Sequence, residues 1–336
     1  MREKSRSRPD NIREYAADLA TRLVEVLYDN FNKLGAEGNI EFLHDMRVAS
    51  RRLREVFVFF SFLQDEAKLR KTISRIREIT RTVGKSREMD VNIELLNQLV
   101  LAPDPGVEAT CEHLLELFAL ERERIRRRMD KGLKAMKLKE RRAGFLKVAR
   151  AFLVVPASPA QTYDGSVAMS LNTFSQKAES AIRSRLSGVE EFKGIEASPG
   201  NDSTLHQLRI RVKKLRYTLE ICDPLFESRF QRALGLAKEL QDWLGKIHDY
   251  GVLIDRLVHQ HASLERNKRK YLLEGSGVIV RMLQDSKREF YAHFRPAYEA
   301  FVGEISCCVS TENSLQPLQS TQVAVQPDIP NPFMDF

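Results

Sequence analysis

The sequence predicts an all-α protein made of two related helical halves. Apolar residues recur at intervals of three and four along most of the 336 residues, for example at Leu19, Leu23, Val26 and Leu27. This period places them on one face of a helix, and no convincing alternation typical of a strand appears. Turn-forming residues interrupt the period at 34–39, 101–106, 154–165, 194–204 and 274–277. We therefore expect long helices that end at these points.

In order along the chain, four segments can be distinguished. A basic N-terminal segment occupies residues 1–11, a first helical half 12–158 and a second helical half 159–310. The Pro- and Ser-containing stretch at 154–165 separates the halves. Residues 311–336 are rich in Pro, Gln and Ser, contain no Lys or Arg and show no apolar period. A segment of this kind cannot bury enough apolar surface to order itself, so we predict a disordered tail.

Composition and charge limit the class of protein. The net charge of +8 at pH 7 favours a polyanionic partner. The four cysteines, Cys111, Cys222, Cys307 and Cys308, form no disulfide framework or CxxC pair, which is typical of reduced thiols. The longest apolar run, interrupted only by Ser61, spans residues 56–63 and is too short to cross a membrane. We expect a cytoplasmic protein without a membrane partner.

A cationic motif occurs twice, 162 residues apart. The stretch "LHDMRVASRRLREVF" begins at Leu43, and "LHQLRIRVKKLRYTLE" begins at Leu205. On a helix of about 100° per residue, one histidine and three cations of each copy fall within an arc of roughly 80°. We call His44, Arg47, Arg51 and Arg54 the first arc, and His206, Arg209, Lys213 and Arg216 the second arc. Apolar residues occupy the opposite side of each helix.

Clustered cations on one helical face repel one another by a few tenths of a kcal/mol per pair. Neither arc contains an acidic residue, in a chain with 46 acids. We therefore expect the counter-charge to come from a ligand, for which Arg and Lys supply donors to phosphate oxygens. A histidine beside such anions gains a proton more readily.

A second repeat supports an internal duplication. "VGKSREMDV" at 83–91 and "LGKIHDYGV" at 244–252 share Gly-Lys, an acid four residues after the glycine (Glu88 and Asp249) and a valine seven after it. Their glycines, Gly84 and Gly245, are 161 residues apart, nearly the offset of the histidine motif. Two related halves of about 150 residues explain both repeats.

These paired motifs resemble the signatures of the CHAD domain, the conserved histidine α-helical domain. The resemblance covers roughly residues 12–305. It implies two pseudo-symmetric bundles of about four long helices each, whose basic helices face a shared central channel that binds inorganic polyphosphate. It also implies association with polyphosphate granules. The first copy departs from the family pattern by carrying Glu88 where Asp is usual, and Arg87 stands where the second copy has His248.

The resemblance implies a set of ligand-binding residues. The first and second arcs form the centre of this set. Arg52 and Lys214 match the motif but lie about 80° from the histidines, so we place them at the rim. Four more cations at repeated positions extend the predicted channel: Arg77, Lys85, Lys238 and Lys246.

Rival classes fit the sequence less well. The His-Asp pairs at His44 and His248 suggest a metal-dependent phosphohydrolase, but a metal ion beside several arginines would be repelled, and no P-loop or GxSxG motif occurs. We expect no enzyme activity, no metal and no cofactor. Nucleic-acid binding is the main alternative, because the basic stretch at 121–142 would attract any phosphate backbone. The arcs lack aromatic residues for base stacking.

Overall fold

The chain folds into α-helices, as the sequence predicts. The structure, a computed structural model, describes residues 12–37, 40–100, 105–154, 171–195, 197–266 and 270–310. Within these ranges there are nine α-helices and no strand. The helices are α1 (Ile12–Glu37), α2 (Ile40–Phe59), α3 (Glu66–Leu99), α4 (Pro105–Ala135), α5 (Leu138–Arg150), α6 (Leu171–Glu190), α7 (Asp202–Cys222), α8 (Gln231–Arg266) and α9 (Lys270–Cys308). The predicted N-terminal segment and the tail, and most of the break at 154–165, lie outside the described residues.

Two compact units make up the chain. Unit 1 comprises Met1–Val167 and Gly245–Ala292, and unit 2 comprises Ala168–Leu244 and His293–Phe336. Helices α8 and α9 each contribute one part to unit 1 and the other part to unit 2. The predicted boundary at residue 158 separates the related sequence halves and stays a prediction. The duplication concerns the repeated sequence motifs and stays a prediction.

Consecutive helices pack side by side in unit 1. Helix α2 packs between α1 and α3, α4 packs on α3, and α5 returns to α1. One apolar cluster joins α3 and α4 to the parts of α8 and α9 that belong to this unit. It contains Met89, Leu96, Val107, Cys111, Leu114, Phe118, Leu253, Leu257, Ile279 and Leu283. All of these side chains are buried, as the three- and four-residue spacing predicts.

Polar side chains fix where the helices of unit 1 begin and end. Asp65 caps α3 by accepting hydrogen bonds from the backbone N–H groups of Ala67 (2.8 Å) and Lys68 (3.1 Å). These bonds favour the carboxylate and lower the pKa of Asp65. At the start of α1, the Arg13 guanidinium donates to the carbonyls of Leu63 and Phe152, at 3.2 and 3.0 Å. It thereby satisfies carbonyl groups at the ends of two short 3-10 helices.

Unit 2 is built on aromatic residues around the connection between α7 and α8. Phe174, Phe226 and Phe230 are buried and in contact, with ring centroids about 6 Å apart (6.1 and 6.0 Å). The buried Asp223 accepts a 2.8 Å hydrogen bond from the backbone N–H of Phe230 and a second bond from the Gln231 amide. Asp223 thus holds the first turn of α8 against the end of α7.

The predicted turn at 274–277 is wrong, because these residues lie inside α9. Gly275 serves close packing instead of a turn. A Cβ added to Gly275 would come within 2.6 Å of the carbonyl oxygen of Gly106 and would also collide with the Thr110 hydroxyl, both on α4. Glycine is therefore required where α9 crosses α4. The other glycine of this stretch, Gly277, has only a distant neighbour at 4.0 Å.

We predict opposite effects of alanine at these two glycines. Gly275→Ala should lower the free energy of unfolding by about 1–3 kcal/mol, because the backbone of α4 must shift. Gly277→Ala should leave it unchanged or raise it by up to about 1 kcal/mol, because alanine favours the helix and meets nothing. Urea unfolding of the two variants measures the difference. Equal effects would contradict the close crossing of α4 and α9.

Candidate anion-binding site

The first arc lies on an amphipathic helix, as the motif spacing predicts. His44, Arg47, Arg51 and Arg54 are all half-buried. The residues on the other side of α2 are fully or almost fully buried: Met46, Ala49, Leu53, Val56 and Phe57. Packing of this apolar side between α1 and α3 fixes which way the cations point.

The second sequence motif lies against the first arc. Gly84 of α3 is so placed that an added Cβ would contact Nε of Arg47 at 3.9 Å. Beside it, the hydroxyls of Ser50 and Thr80 are hydrogen-bonded at 2.8 Å and join α2 to α3. The two signatures of the first half therefore form one site in unit 1.

A surplus of positive charge surrounds His44. Burial lowers the pKa of His44, and Arg87 lowers it further; Asp45 raises it by more than either Arg47 or Arg51 lowers it. Its Nδ1 is buried and makes no hydrogen bond to any residue the structure describes. Arg87 comes from α3 and was not among the predicted site residues. Its position three residues after Gly84 was the available signal, because that spacing keeps both on one side of α3.

The second arc repeats this arrangement in unit 2. Its apolar back consists of Leu208, Val212, Leu215 and Leu219, all fully buried. His206, Arg209 and Lys213 are half-buried. Burial lowers the pKa of His206, and Arg209 and Lys213 lower it further. Both histidines therefore favour the neutral imidazole in the unliganded protein.

The expectation that no acid neutralises the arcs is wrong at their C-terminal ends. The Arg54 guanidinium lies 3.1 Å from the buried Glu55 carboxylate. In unit 2, Nε of Arg216 lies 2.9 Å from the Glu220 carboxylate, and both side chains are about nine-tenths buried (11% and 8% exposed). Glu55 directly follows the last residue of the first arc, and Glu220 lies one helical turn after the last residue of the second arc. Glu55 and Glu220 therefore each pair with the last arginine of an arc.

Arg51 is the clearest uncompensated cation of the first arc. It is half-buried, and it forms no ion pair with any residue in the described ranges. A charged side chain held among other cations without an acid is electrostatically unfavourable, and an anionic ligand would remove that penalty.

The remaining predicted cations differ in exposure. Arg52 is buried (6% exposed), whereas Lys214, its counterpart in the second motif, is exposed. Arg77, Lys85, Lys238 and Lys246 are exposed. The ammonium group of Lys246 lies 5.5 Å from the centre of the Phe290 ring. Their roles as rim and channel contacts stay predictions.

Sequence reasoning missed a buried acid on α3, three residues after Arg87. Asp90 of α3 is 5% exposed and lies 3.8 Å from the Arg122 guanidinium and 3.9 Å from that of Arg126, both on α4. Burial raises the pKa of Asp90, while Arg126, Arg122 and Arg87 oppose this rise. Two arginines of the basic stretch at 121–142 therefore lie beside an internal carboxylate, while their side chains stay partly exposed (32% and 29%).

Comparison with known proteins identifies the family. The family model for the CHAD domain matches residues 18–258. The chain belongs to the CHAD-domain family. Its fold is similar to the crystal structure of the CHAD domain from the plant Ricinus communis, with a TM-score of 0.58 and 22% identity over 89% of this chain and 96% of that chain. It is also similar to PptA from Streptomyces chartreusis, with a TM-score of 0.57 and 18% identity over 88% of this chain and 99% of that chain. None of the curated proteins matches the chain.

The departure from the CHAD pattern at Glu88 has a structural role in unit 1. The Arg256 guanidinium, from α8, donates to the Glu88 carboxylate at 3.2 Å and to the Glu121 carboxylate at 3.2 Å. Glu88 therefore joins α3 to α4 and α8 through Arg256. It is half exposed and does not serve as a partner for the first arc.

The lowered histidine pKa values predict a pH-dependent stability. The unfolded chain binds protons at histidine near pH 6.5, whereas the folded, unliganded CHAD domain binds them only at lower pH. The folded state therefore loses stability as the pH falls below about 6.5. We expect the free energy of unfolding to fall from pH 7.5 to pH 5.5, and to fall less in His44→Gln with His206→Gln. Urea unfolding at both pH values measures this effect.

A matched control is His259→Gln, because His259 is a solvent-exposed histidine on α8. It should show the same fall as the wild type. If the double variant also falls as steeply as the wild type, the histidines of the arcs are not the source of the pH dependence.

Proposed function

We propose that this chain binds inorganic polyphosphate without hydrolysing it, through the first arc and the second arc. The observation that carries the proposal is the cluster of Arg87, Arg47 and Arg51 near His44: burial and these three cations lower its pKa, and Asp45 alone opposes them. Glu55 pairs with Arg54 at the far end of the arc, whereas Arg51 forms no ion pair with any residue in the described ranges. An anionic ligand beside Arg51 and His44 would offset this positive charge.

The shape of each arc favours a linear polyanion over a single phosphate. From the histidine to the last arginine, ten residues of helix extend about 15 Å. Cations recur along this length once per turn, so a chain with a charge on every phosphate unit meets several of them at once. Arginine supplies forked donors for phosphate oxygens, and lysine supplies a point charge. Membership of the CHAD-domain family supports the same ligand.

Binding without catalysis agrees with the chemistry of the arcs. In the described part of the chain, no three or more His, Cys, Asp or Glu side chains are grouped so that they could hold a metal ion. Neither arc places a nucleophile beside an activating base.

No helix in the described ranges has the length and mean hydropathy needed to cross a membrane.

Charge reversal in the first arc tests the site. Arg47→Glu with Arg51→Glu should weaken binding of long-chain polyphosphate by at least about tenfold, since each good contact to phosphate contributes on the order of 1 kcal/mol or more. Isothermal titration calorimetry at fixed ionic strength measures the affinity. The melting temperature should not fall, because the change removes cations from a repulsive cluster.

The control for net charge is Lys71→Glu with Lys147→Glu, which makes the same change at exposed positions of α3 and α5. Its affinity should remain close to that of the wild type. Unchanged binding in the arc variant would refute the site assignment. Release of phosphate from polyphosphate in the presence of Mg²⁺ or Mn²⁺, abolished by His44→Ala, would refute the proposal of binding without hydrolysis.

Chain length tests whether the two arcs act on one ligand, as the shared channel implied by the family resemblance requires. If they do, the second contact is intramolecular, and long polyphosphate should bind far more tightly than tripolyphosphate. Arg51→Glu or Lys213→Glu alone should then remove most of that advantage and leave weak tripolyphosphate binding largely intact. If instead each variant halves the stoichiometry and keeps the affinity of the remaining site, the arcs are independent.

A further inference from the structure

Helix α4 carries a second basic face that the proposed polyphosphate site does not use. Arg124, Arg128, Lys131 and Lys134 are exposed, and none of them forms an ion pair with a residue in the described ranges. On the helical wheel they span about 120°, and the exposed Arg127 lies inside the same sector. We call these five residues the outer stripe.

The outer stripe points away from the interior of unit 1. Taking Arg124 as zero, the residues of the stripe lie between about 280° and 40°. The buried Leu114, Phe118 and Met129 lie near 80–140°, and Arg122 and Arg126, which face Asp90 on α3, lie near 160–200°. Helix α4 therefore has two cationic sides with different roles, an inner one that pairs with Asp90 and an outer one that faces solvent.

The acids near the outer stripe are mostly engaged. Glu121 accepts from Arg256 of α8, and Glu123 accepts a 3.4 Å hydrogen bond from Arg127. Asp130 is exposed about 40° beyond the edge of the stripe. A net positive charge therefore remains along about 15 Å of exposed helix. The stripe is rich in arginine, which suits phosphate groups.

We propose that the outer stripe binds the phosphate backbone of double-stranded DNA. A solvent-facing helix is a convex ridge, about 10–12 Å across with its side chains. A thin linear polyanion could touch such a ridge on one side only. The major groove of B-DNA is about 12 Å wide and has a phosphate backbone along each wall, so it can receive the ridge. The two edges of the stripe then face opposite walls of the groove, with Lys134 and Arg127 at one edge and Arg128 at the other.

Other polyanionic partners fit the outer stripe less well. The deep major groove of double-stranded RNA is too narrow for a helix. A membrane-surface helix buries an apolar face in the lipid, but the apolar face of α4 is already buried in the protein core. Of the exposed large apolar residues, only Leu120 lies in the sector of the stripe. The stripe is assigned to the phosphate backbone, whose contacts carry no sequence information directly, so the expected binding does not depend on base sequence.

Charge reversal on the stripe tests the proposal. Arg124→Glu, Arg128→Glu and Lys131→Glu together should weaken binding of a fluorescein-labelled 20-base-pair duplex by at least about tenfold in fluorescence anisotropy. The slope of log affinity against log salt should become less steep by about 0.9 for each phosphate that the variant no longer neutralises. Arg124→Lys with Arg128→Lys should keep most of the affinity, because binding to the phosphate backbone needs charge more than geometry.

Two matched variants distinguish an effect of the outer stripe on DNA binding from an effect of net charge or of the first arc. Lys71→Glu, Lys147→Glu and Lys193→Glu make the same charge change at exposed positions outside the stripe, and should bind DNA as the wild type does. The first-arc variant, Arg47→Glu with Arg51→Glu, should bind polyphosphate weakly and DNA as the wild type does. The stripe variant should bind DNA weakly and polyphosphate as the wild type does. These two effects are independent, so failure of the polyphosphate proposal leaves this one standing.

Several results would overturn the assignment. Equal weakening of DNA binding in the stripe variant and the net-charge control would show that only overall charge matters. Weakened DNA binding in the first-arc variant alone would place the nucleic acid at that arc. Preferential, stripe-dependent binding to phosphatidylserine vesicles or to double-stranded RNA over the DNA duplex would assign the surface to those partners instead.

Discussion

The repulsion among the cations of the first arc is the constraint around which unit 1 is organised. Like charges one turn apart destabilise an isolated helix, so α2 needs a compensating source of stability. Its buried back provides this, because Met46, Leu53 and Phe57 are completely removed from water. Each such side chain contributes about 1.5–3 kcal/mol, several times the cost of one like-charge pair. Packing of α2 between α1 and α3 therefore stabilises a cationic helical face that like-charge repulsion alone would destabilise.

Acidic side chains of the protein determine how much positive charge of the arcs is available to a ligand. Glu55 and Glu220 each pair with the last arginine of an arc, and the buried Asp90 attracts Arg122, Arg126 and Arg87. The pairs of Asp90 at 3.8 and 3.9 Å are too long for hydrogen bonds. Asp90 thus attracts these arginines without holding them in hydrogen bonds. These acids therefore offset part of the cationic charge of the unliganded fold, whereas Arg51 has no acidic partner among the described residues.

The sequence was sufficient to predict the helical class and the sidedness of both arcs, because a 3.6-residue period and a fixed angle per residue depend only on local geometry. It was not sufficient for relations between helices. The roles of Arg87 and Asp90 depend on how α3 lies against α2 and α4. Gly275 was misassigned to a turn for the same reason, since its contact with Gly106 comes from a distant part of the chain.

The two arcs are repeated in sequence but are not equally available. In unit 2, the guanidinium of Arg216 is shared between Glu220 at 2.9 Å and the amide oxygen of Gln241 at 3.3 Å, and its side chain is 11% exposed. In unit 1, Arg54 pairs with Glu55 but keeps 23% exposure. Arg54 makes both of its hydrogen bonds to one residue, Glu55, whereas Arg216 must leave two partners and a more buried position to reach a ligand. Arg54 therefore leaves Glu55 at a smaller cost in free energy than Arg216 leaves its partners. The repeated motif does not make two equivalent sites.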